Sequence, residues 1–326
     1  MSFVFTEDYF KEETRHGFTI TSTMKRCWAC QLRVVGAIDD ICKRYNLKYF
    51  AYWGTLLGAV RSHGMIPWDD DIDIAMTRDC FNGLVEHIDE LPDTLHLIGK
   101  DASNFPFTGF YRITNTDHIR WTDDYLKDNY DFPMMAGVDI FVFDYIPRER
   151  EIYNSICQIL QVTLDAADLI VKNPKDPSLP QKIVNIQNFI GHRLDPSSDK
   201  SIVYQLQELY EIAAQSTFPE EADDLGMYNH MMYHDPGQHF PKEAFEHMIR
   251  VPFETGTIVI PEKYELFLTH RFGNDYIIPE KIKGTHNYPY YRSELKMIDD
   301  YCKEHNTDEP IVKCNLQEEM DRYIYN

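Results

Sequence analysis

The chain has 326 residues, enough for one large domain or two modest ones with an ample core. Its 43% hydrophobic and 26% charged residues suit a soluble globular protein and exclude a disordered tail protein. With Lys+Arg 32 against Asp+Glu 53 the formal net charge is −21, which opposes nonspecific attraction to duplex nucleic acid or to an anionic membrane surface. No run reaches the roughly 18 to 20 apolar residues that a membrane span needs. The start, Met1-Ser2-Phe3-Val4-Phe5-Thr6-Glu7-Asp8, is acidic and lacks the basic and apolar regions of a signal peptide. Seven cysteines, read with that start, predict reduced thiols and a cytoplasmic protein.

Trp28, Leu32, Val35, Ile38 and Cys42 recur at spacings of three and four, predicting an amphipathic helix that ends near Tyr45-Asn46. Lys48-Tyr49-Phe50-Ala51-Tyr52-Trp53 reads as a short strand. Gly54-Thr55 turns the chain, with Thr55 as the cap of a short helix through about Ser62. Asp71-Ile72-Asp73-Ile74-Ala75 alternates polar with apolar and predicts a strand with both carboxylates on one face. A helix follows over residues 77–91. Gly109-Phe110-Tyr111-Arg112-Ile113 and Val138-Asp139-Ile140-Phe141-Val142-Phe143 are two further strands. Helical periodicity then runs through 151–172, 179–193 and 201–215, separated by Pro- and Asp-rich turns. Near the end come a strand at Thr257-Ile258-Val259-Ile260-Pro261, a helix around 264–271 and an aromatic loop over 286–292. The division expected is an α/β core over 1–150 and a mainly helical part over 151–326.

Asp71 and Asp73, spaced i, i+2 on a strand, project to one side about 6 to 7 Å apart. Oxygen donors held that way suit a hard cation such as Mg²⁺ or Mn²⁺, with substrate phosphates completing the shell. Asp139, flanked by Val138 and Ile140, has the context of a third acidic ligand on a neighbouring strand. The Gly54-Thr55 turn offers backbone N–H groups where a phosphate approaches a helix start. The blander reading makes Asp69-Asp70-Asp71-Ile72-Asp73 a solvated turn. Against it, Ile72, Ile74 and Met76 alternate as a buried strand face, and four carboxylates beside a core strand repel unless a cation neutralises them. Cys27-Trp28-Ala29-Cys30 has no second pair and lies in a helix, so it reads as packing rather than zinc. His230, His234 and His239 lack the glutamate of a metalloprotease motif and read as solvated or packed residues.

The unbroken segment from Tyr52-Trp53-Gly54-Thr55-Leu56-Leu57-Gly58 through Arg61 and Pro67-Trp68-Asp69-Asp70-Asp71-Ile72-Asp73-Ile74 resembles the signature of the LicD family. Gly137-Val138-Asp139-Ile140-Phe141, Val251-Pro252-Phe253-Glu254 and Arg271-Phe272-Gly273-Asn274-Asp275-Tyr276 fit the same family, as do Pro279 and His286, so the resemblance covers roughly residues 25 to 290. It implies an α+β, nucleotidyltransferase-like mixed sheet flanked by helices, with a C-terminal segment returning toward the active site. It also implies metal-dependent transfer of phosphocholine from CDP-choline to a hydroxyl of a cell-surface glycan or teichoic-acid precursor. Asp71, Asp73 and Asp139 would hold the metal, or Asp139 would instead be the base that takes the acceptor's proton. The rival enzymatic reading transfers another phospho-alcohol, such as phosphoethanolamine or a sugar- or polyol-phosphate. A second rival is an inactive binding module on the same fold, against which the intact carboxylates argue.

Two readings stand for Arg61, a phosphate or leaving-group contact and a surface ion pair with the aspartates. Two also stand for His286, a phosphate contact and a packed loop residue. Trimethylammonium recognition needs aromatic faces. Trp68, Tyr111, Trp121, Tyr125, Tyr130 and residues 288–291 are candidates, with Trp68 first because it directly precedes the acidic run.

Overall fold

The structure, a computed structural model, describes residues 3–99, 111–233, 235–279 and 288–325. A small hairpin of β1 (Glu13–Arg15) and β2 (Phe18–Ile20) leads into the long helix α1 (Ser22–Arg44). Thr21 caps that helix, its hydroxyl accepting the Met24 N–H at 3.1 Å, and Lys43 and Arg44 complement the negative C-terminal end. The periodic residues seen in the sequence, Trp28, Leu32, Val35, Ile38 and Cys42, form its buried face. The helix ends at Tyr45, with Asn46 at φ 54°.

Only Phe50–Ala51 (β3) forms the strand predicted over 48–53, because Trp53, at φ 40°, already turns the chain into α2 (Trp53–Ser62). Then come β4 (Ile72–Thr77), α3 (Arg78–Glu86), β5 (His96–Ile98), β6 (Tyr111–Thr114), α4 (Asp123–Asp128) and β7 (Gly137–Pro147). The helix expected to reach residue 91 stops at Glu86, and a separate 3-10 turn covers Ile88–Glu90. Gly109 and Phe110, at the head of the predicted strand, lie outside the described residues.

These strands make a mixed sheet in the order β3-β4-β7-β6-β5. The pair β4–β7 is parallel and the other pairs on that path are antiparallel. The 11 residues of β7 are long enough to serve two neighbourhoods: its first half pairs with β4 and β6, and its second half with β8 (Ala222–Gly226). The register shifts between Ile146 and Pro147, before the last pair of Pro147 with Ala222, to which proline brings no N–H. Beside β8 lies β9 (His239–Pro241). The fold is α+β, as expected.

Helices α5 (Arg150–Lys172), α6 (Leu179–Ile190) and α7 (Ile202–Ala214) fill the three helical stretches read from the sequence. They bury two clusters of their own, one around Leu160 and Tyr210 and another around Ala167, Ile186 and Leu206. Helix α8 (Tyr228–Tyr233), the hairpin of β10 (Met248–Phe253) and β11 (Gly256–Pro261), and α9 (Tyr264–Phe272) follow. The chain closes with α10 (Arg292–His305), α11 (Glu309–Lys313) and α12 (Gln317–Met320). Phe253, Ile258, Phe267, Tyr291 and Leu295 from this last third join the same core as Trp28 and the sheet residues Ile74 and Ile140. Among the described residues no helix is long and apolar enough to cross a membrane.

One buried polar network fastens α7 to the sheet. Arg78, at the start of α3, donates through Nε and Nη2 to Asp144 of β7 at 2.7 and 3.0 Å, and through Nη1 to Glu211 of α7 at 2.6 Å. Tyr111 of β6 donates to the other oxygen of Glu211. Removing one member leaves an uncompensated buried charge, so Asp144→Ala is expected to lower stability by about 3 to 5 kcal/mol. Urea denaturation measures this, and an unshifted midpoint would show that the network is not what joins the helices to the sheet.

Candidate active site

Strand register decides what the acidic residues do. Asp73 stands opposite Asp139 across the parallel pair, and Arg112 stands opposite Asp139 across the antiparallel pair. Neighbouring strands lie about 4.8 Å apart, and residues in register point to one side, so these three side chains share a face of the sheet. Asp71 directly precedes β4 rather than lying in it, and reaches the same place from the loop. Asp69, Asp70 and Asp71 can bring carboxylate oxygens within 4.8 Å of one another.

Electrostatics report the crowding. Burial first, and then the negative charges of Asp71, Asp139 and Asp69, hold the Asp73 carboxyl well above the usual carboxylate range, with Arg112 opposing. Asp69 is raised the same way, by burial and then by Asp71 and Asp70. Asp139 is buried and gripped by Arg112 on both oxygens, Nη2 to Oδ2 at 2.7 Å and Nε to Oδ1. An oxygen-only set of mutually repelling carboxylates has the donor chemistry that Mg²⁺ or Mn²⁺ requires.

Local structure explains how the acids are held. The backbone carbonyls of Asp69 and Asp70 accept from α1, from Trp28 Nε1 at 3.2 Å and Gln31 Nε2 at 2.9 Å. The buried Asp70 carboxylate also accepts the Tyr290 N–H at 2.5 Å, tying the run to the aromatic segment. A Cβ on Gly54 would collide with the Asp69 carboxylate. The missing side chain therefore lets Asp69 approach the first turn of α2, where a negative charge is favoured. That space was expected to admit a phosphate.

Thr55 needs correction. It lies inside α2, whose N-cap is Tyr52, and does not cap the helix. Its buried hydroxyl instead accepts the Asp73 N–H at 2.8 Å, fixing the strand residue that carries the carboxylate.

Other expected residues are dispersed. Arg61 sits at the far end of α2; among the described residues it forms no ion pair with the aspartates, and Nη1 donates to the Tyr276 carbonyl at 3.5 Å. Trp68 is half-buried and meets Phe18 edge-on at 6.2 Å, and Phe18 meets Tyr288 at 5.4 Å. Tyr111 is core, against Phe81. Buried Tyr125 accepts from Asn115 at 2.9 Å, Trp121 lies on Tyr301, and Tyr130 packs with Phe5 and Phe10. His286 lies outside the described residues, as do His234 and the side chain of His230. His239 pairs with Asp224 at 2.6 Å on the neighbouring strand. Cys27 and Cys30 are buried in α1; burial pushes the Cys30 thiol up to about 12, and it donates to the Asn129 carbonyl.

Sequence reasoning missed Arg112 and Asp69. Arg112 left a signal, a cation between Tyr111 and Ile113 in a predicted strand, where a buried neighbour of opposite charge was the natural inference. Asp69 was passed over because the i, i+2 rule on a strand selects Asp71 and Asp73, whereas Asp69 arrives through a loop.

Residues 46–157 match a family described as LicD/FKTN/FKRP, nucleotidyltransferase domain. The chain is 26% identical over 262 residues, 78% of its own length and 92% of the relative's, to the lipopolysaccharide cholinephosphotransferase LicD of Haemophilus influenzae. A stretch of 40 residues is 48% identical to an uncharacterized protein of Rickettsia prowazekii, covering 12% of this chain and 15% of that one.

Thr55→Val keeps the shape and removes the side-chain acceptor of a strand N–H buried beneath the acids, so a stability loss of about 1 to 3 kcal/mol is expected. Thermal denaturation checks this, with Thr55→Ser restoring most of the loss. Equal melting of the valine variant and the parent would refute the assigned role.

Proposed function

Because residues 46–157 are a LicD-family nucleotidyltransferase domain, we propose that this protein is a metal-dependent phosphotransferase that moves phosphocholine from CDP-choline to a hydroxyl of a cell-surface glycan precursor. The observation that carries this reading is the acidic centre, where Asp69, Asp70 and Asp71 gather carboxylate oxygens within 4.8 Å and the charges of Asp69 and Asp71 act on Asp73, which stands beside Asp139 on the paired strands. The name of the Haemophilus influenzae relative supplies the choline and the glycan. All seven cysteines are free thiols, which accords with work in the reducing cytoplasm.

Asp69, Asp71 and Asp73 are the residues that would hold Mg²⁺ or Mn²⁺, with Asp139 beside them. When bound, the ion offsets charge on the donor diphosphate and on the departing CMP. Arg112 grips both oxygens of Asp139 and aims it along the same face as Asp73. Asp139 stands there either as a ligand or as the base that takes the proton of the attacking hydroxyl. Gly54 and Thr55 set the positions of Asp69 and Asp73, and the acceptor hydroxyl attacks the phosphorus opposite CMP.

The aromatic faces support a cationic alcohol. Trp68, next to Asp69 in the chain, joins Phe18 and Tyr288 in an edge-to-face group. Such rings attract a trimethylammonium without any hydrogen bond, and Trp68 is the residue assigned to it.

Release of CMP, followed by chromatography, tests the reading. CDP-choline should give CMP with Mg²⁺ or Mn²⁺ and none in EDTA, and Asp73→Asn should lower kcat by about a hundredfold or more. No metal-dependent CMP from CDP-choline, CDP-ethanolamine or a CDP-polyol would sink the proposal. The choline assignment has its own check: Trp68→Ala should raise KM for CDP-choline by about two- to thirtyfold, more than for CDP-ethanolamine. An equal effect on both donors would remove Trp68 from the ammonium site.

A further inference from the structure

A cleft of about 650 Å³ opens at the C-terminal end of α2, lined among others by Arg15, His16, Arg61, His63, Pro67 and Glu254. Among the described residues its charges do not cancel. The Glu254 carboxylate accepts from Arg15 at 2.8 Å and from the Met65 N–H at 2.8 Å. Arg15 also pairs with Glu13 at 2.7 Å, and Glu13 with Lys25, so these two acids and two bases balance. Arg61 is left over.

Three other enclosed arginines each have a carboxylate partner. Arg78 pairs with Asp144, Arg112 with Asp139, and Arg250 with Asp39 at 2.6 Å. Arg61 has no carboxylate partner among the described residues, its Nε is buried without a hydrogen bond, and its contact with Tyr276 is long at 3.5 Å. Burial alone pulls its pKa down, with no contribution from any aspartate. In a chain of 53 acidic residues, a half-buried guanidinium left unmatched in a cleft is a receptor for an anion.

The cleft is also displaced from the chemistry. Arg61 lies seven helical steps after Gly54, which borders Asp69, a rise of about 10 Å. Pro67 lines the cleft and Trp68-Asp69 follows directly, so the two places are joined by one short stretch of chain. A diphosphate held at the acidic centre does not span that separation, whereas a sugar or two does.

We propose that this cleft is the anion subsite of the glycan acceptor, where Arg61 grips a phosphate or carboxylate carried one or two sugar units from the reacting hydroxyl. The assignment rests on the transferase reading above.

Calorimetric binding to the full chain in EDTA tests it, with glucose 6-phosphate and glucose as probes. Wild type binds the phosphate ester and not the neutral sugar, and Arg61→Gln weakens binding by about tenfold or more. Arg61→Lys, which keeps the charge, loses less, and circular dichroism confirms that both variants fold. No saturable binding by wild type, or equal binding by Arg61→Gln, overturns the subsite. Displacement of glucose 6-phosphate by CDP-choline in EDTA also overturns it, since the cleft would then serve the donor. Arg61-dependent binding without CMP release in the donor assay would count against the transferase reading alone.

Discussion

Asp73 and Asp139 stand side by side on two parallel strands, and the loop before β4 delivers Asp69 and Asp71 to the same edge. Two unit charges about 5 Å apart repel by roughly 3 kcal/mol at an effective dielectric of 20, and this site gathers more than two. A fold tolerates such a concentration only if protons or cations offset it. Arg112 meets one of the carboxylates, and under the proposed function a divalent ion would meet the rest.

Much of the surrounding structure follows from holding those acids still. Helix α1 reaches across with Trp28 and Gln31 to the carbonyls of Asp69 and Asp70, so the loop is pinned by its backbone while the carboxylates remain available to one another. Thr55 pins the Asp73 N–H, and Gly54 makes room for Asp69. The C-terminal third contributes too: Tyr290 caps Asp70 through its N–H, and its hydroxyl donates to the Met135 carbonyl just before β7. One core holds α1, the sheet and the C-terminal helices through α12 around these links.

The fold and the site were unequally legible in the sequence. Helices α5, α6 and α7 were read nearly to their ends, and α1 from Trp28 to its C-terminal end, because each carries a long apolar stripe. Strand β3 was overextended because Tyr52 and Trp53 favour strand by composition, while the left-handed turn at Trp53 is imposed by tertiary packing. The hairpin strand β10 was not read at all, since Pro252 interrupts it and little of it is buried. At the site, the i, i+2 spacing of Asp71 and Asp73 was visible locally. The pairing of Asp73 with Asp139, and of Asp139 with Arg112, depends on register between strands more than sixty residues apart in the case of the two aspartates, which no local pattern encodes. Thr55 shows the same limit: its type announced a cap, and its hydroxyl found a strand N–H instead.

The central claim is that the edge of β4 and β7 is a divalent-metal centre. Anomalous scattering from crystals soaked in Mn²⁺ addresses it most directly, because the signal locates the ion without any assumption about substrate. The account predicts a peak among the carboxylates of Asp69, Asp71 and Asp73, beside Asp139. A peak elsewhere, or none at this edge under saturating Mn²⁺, would contradict it.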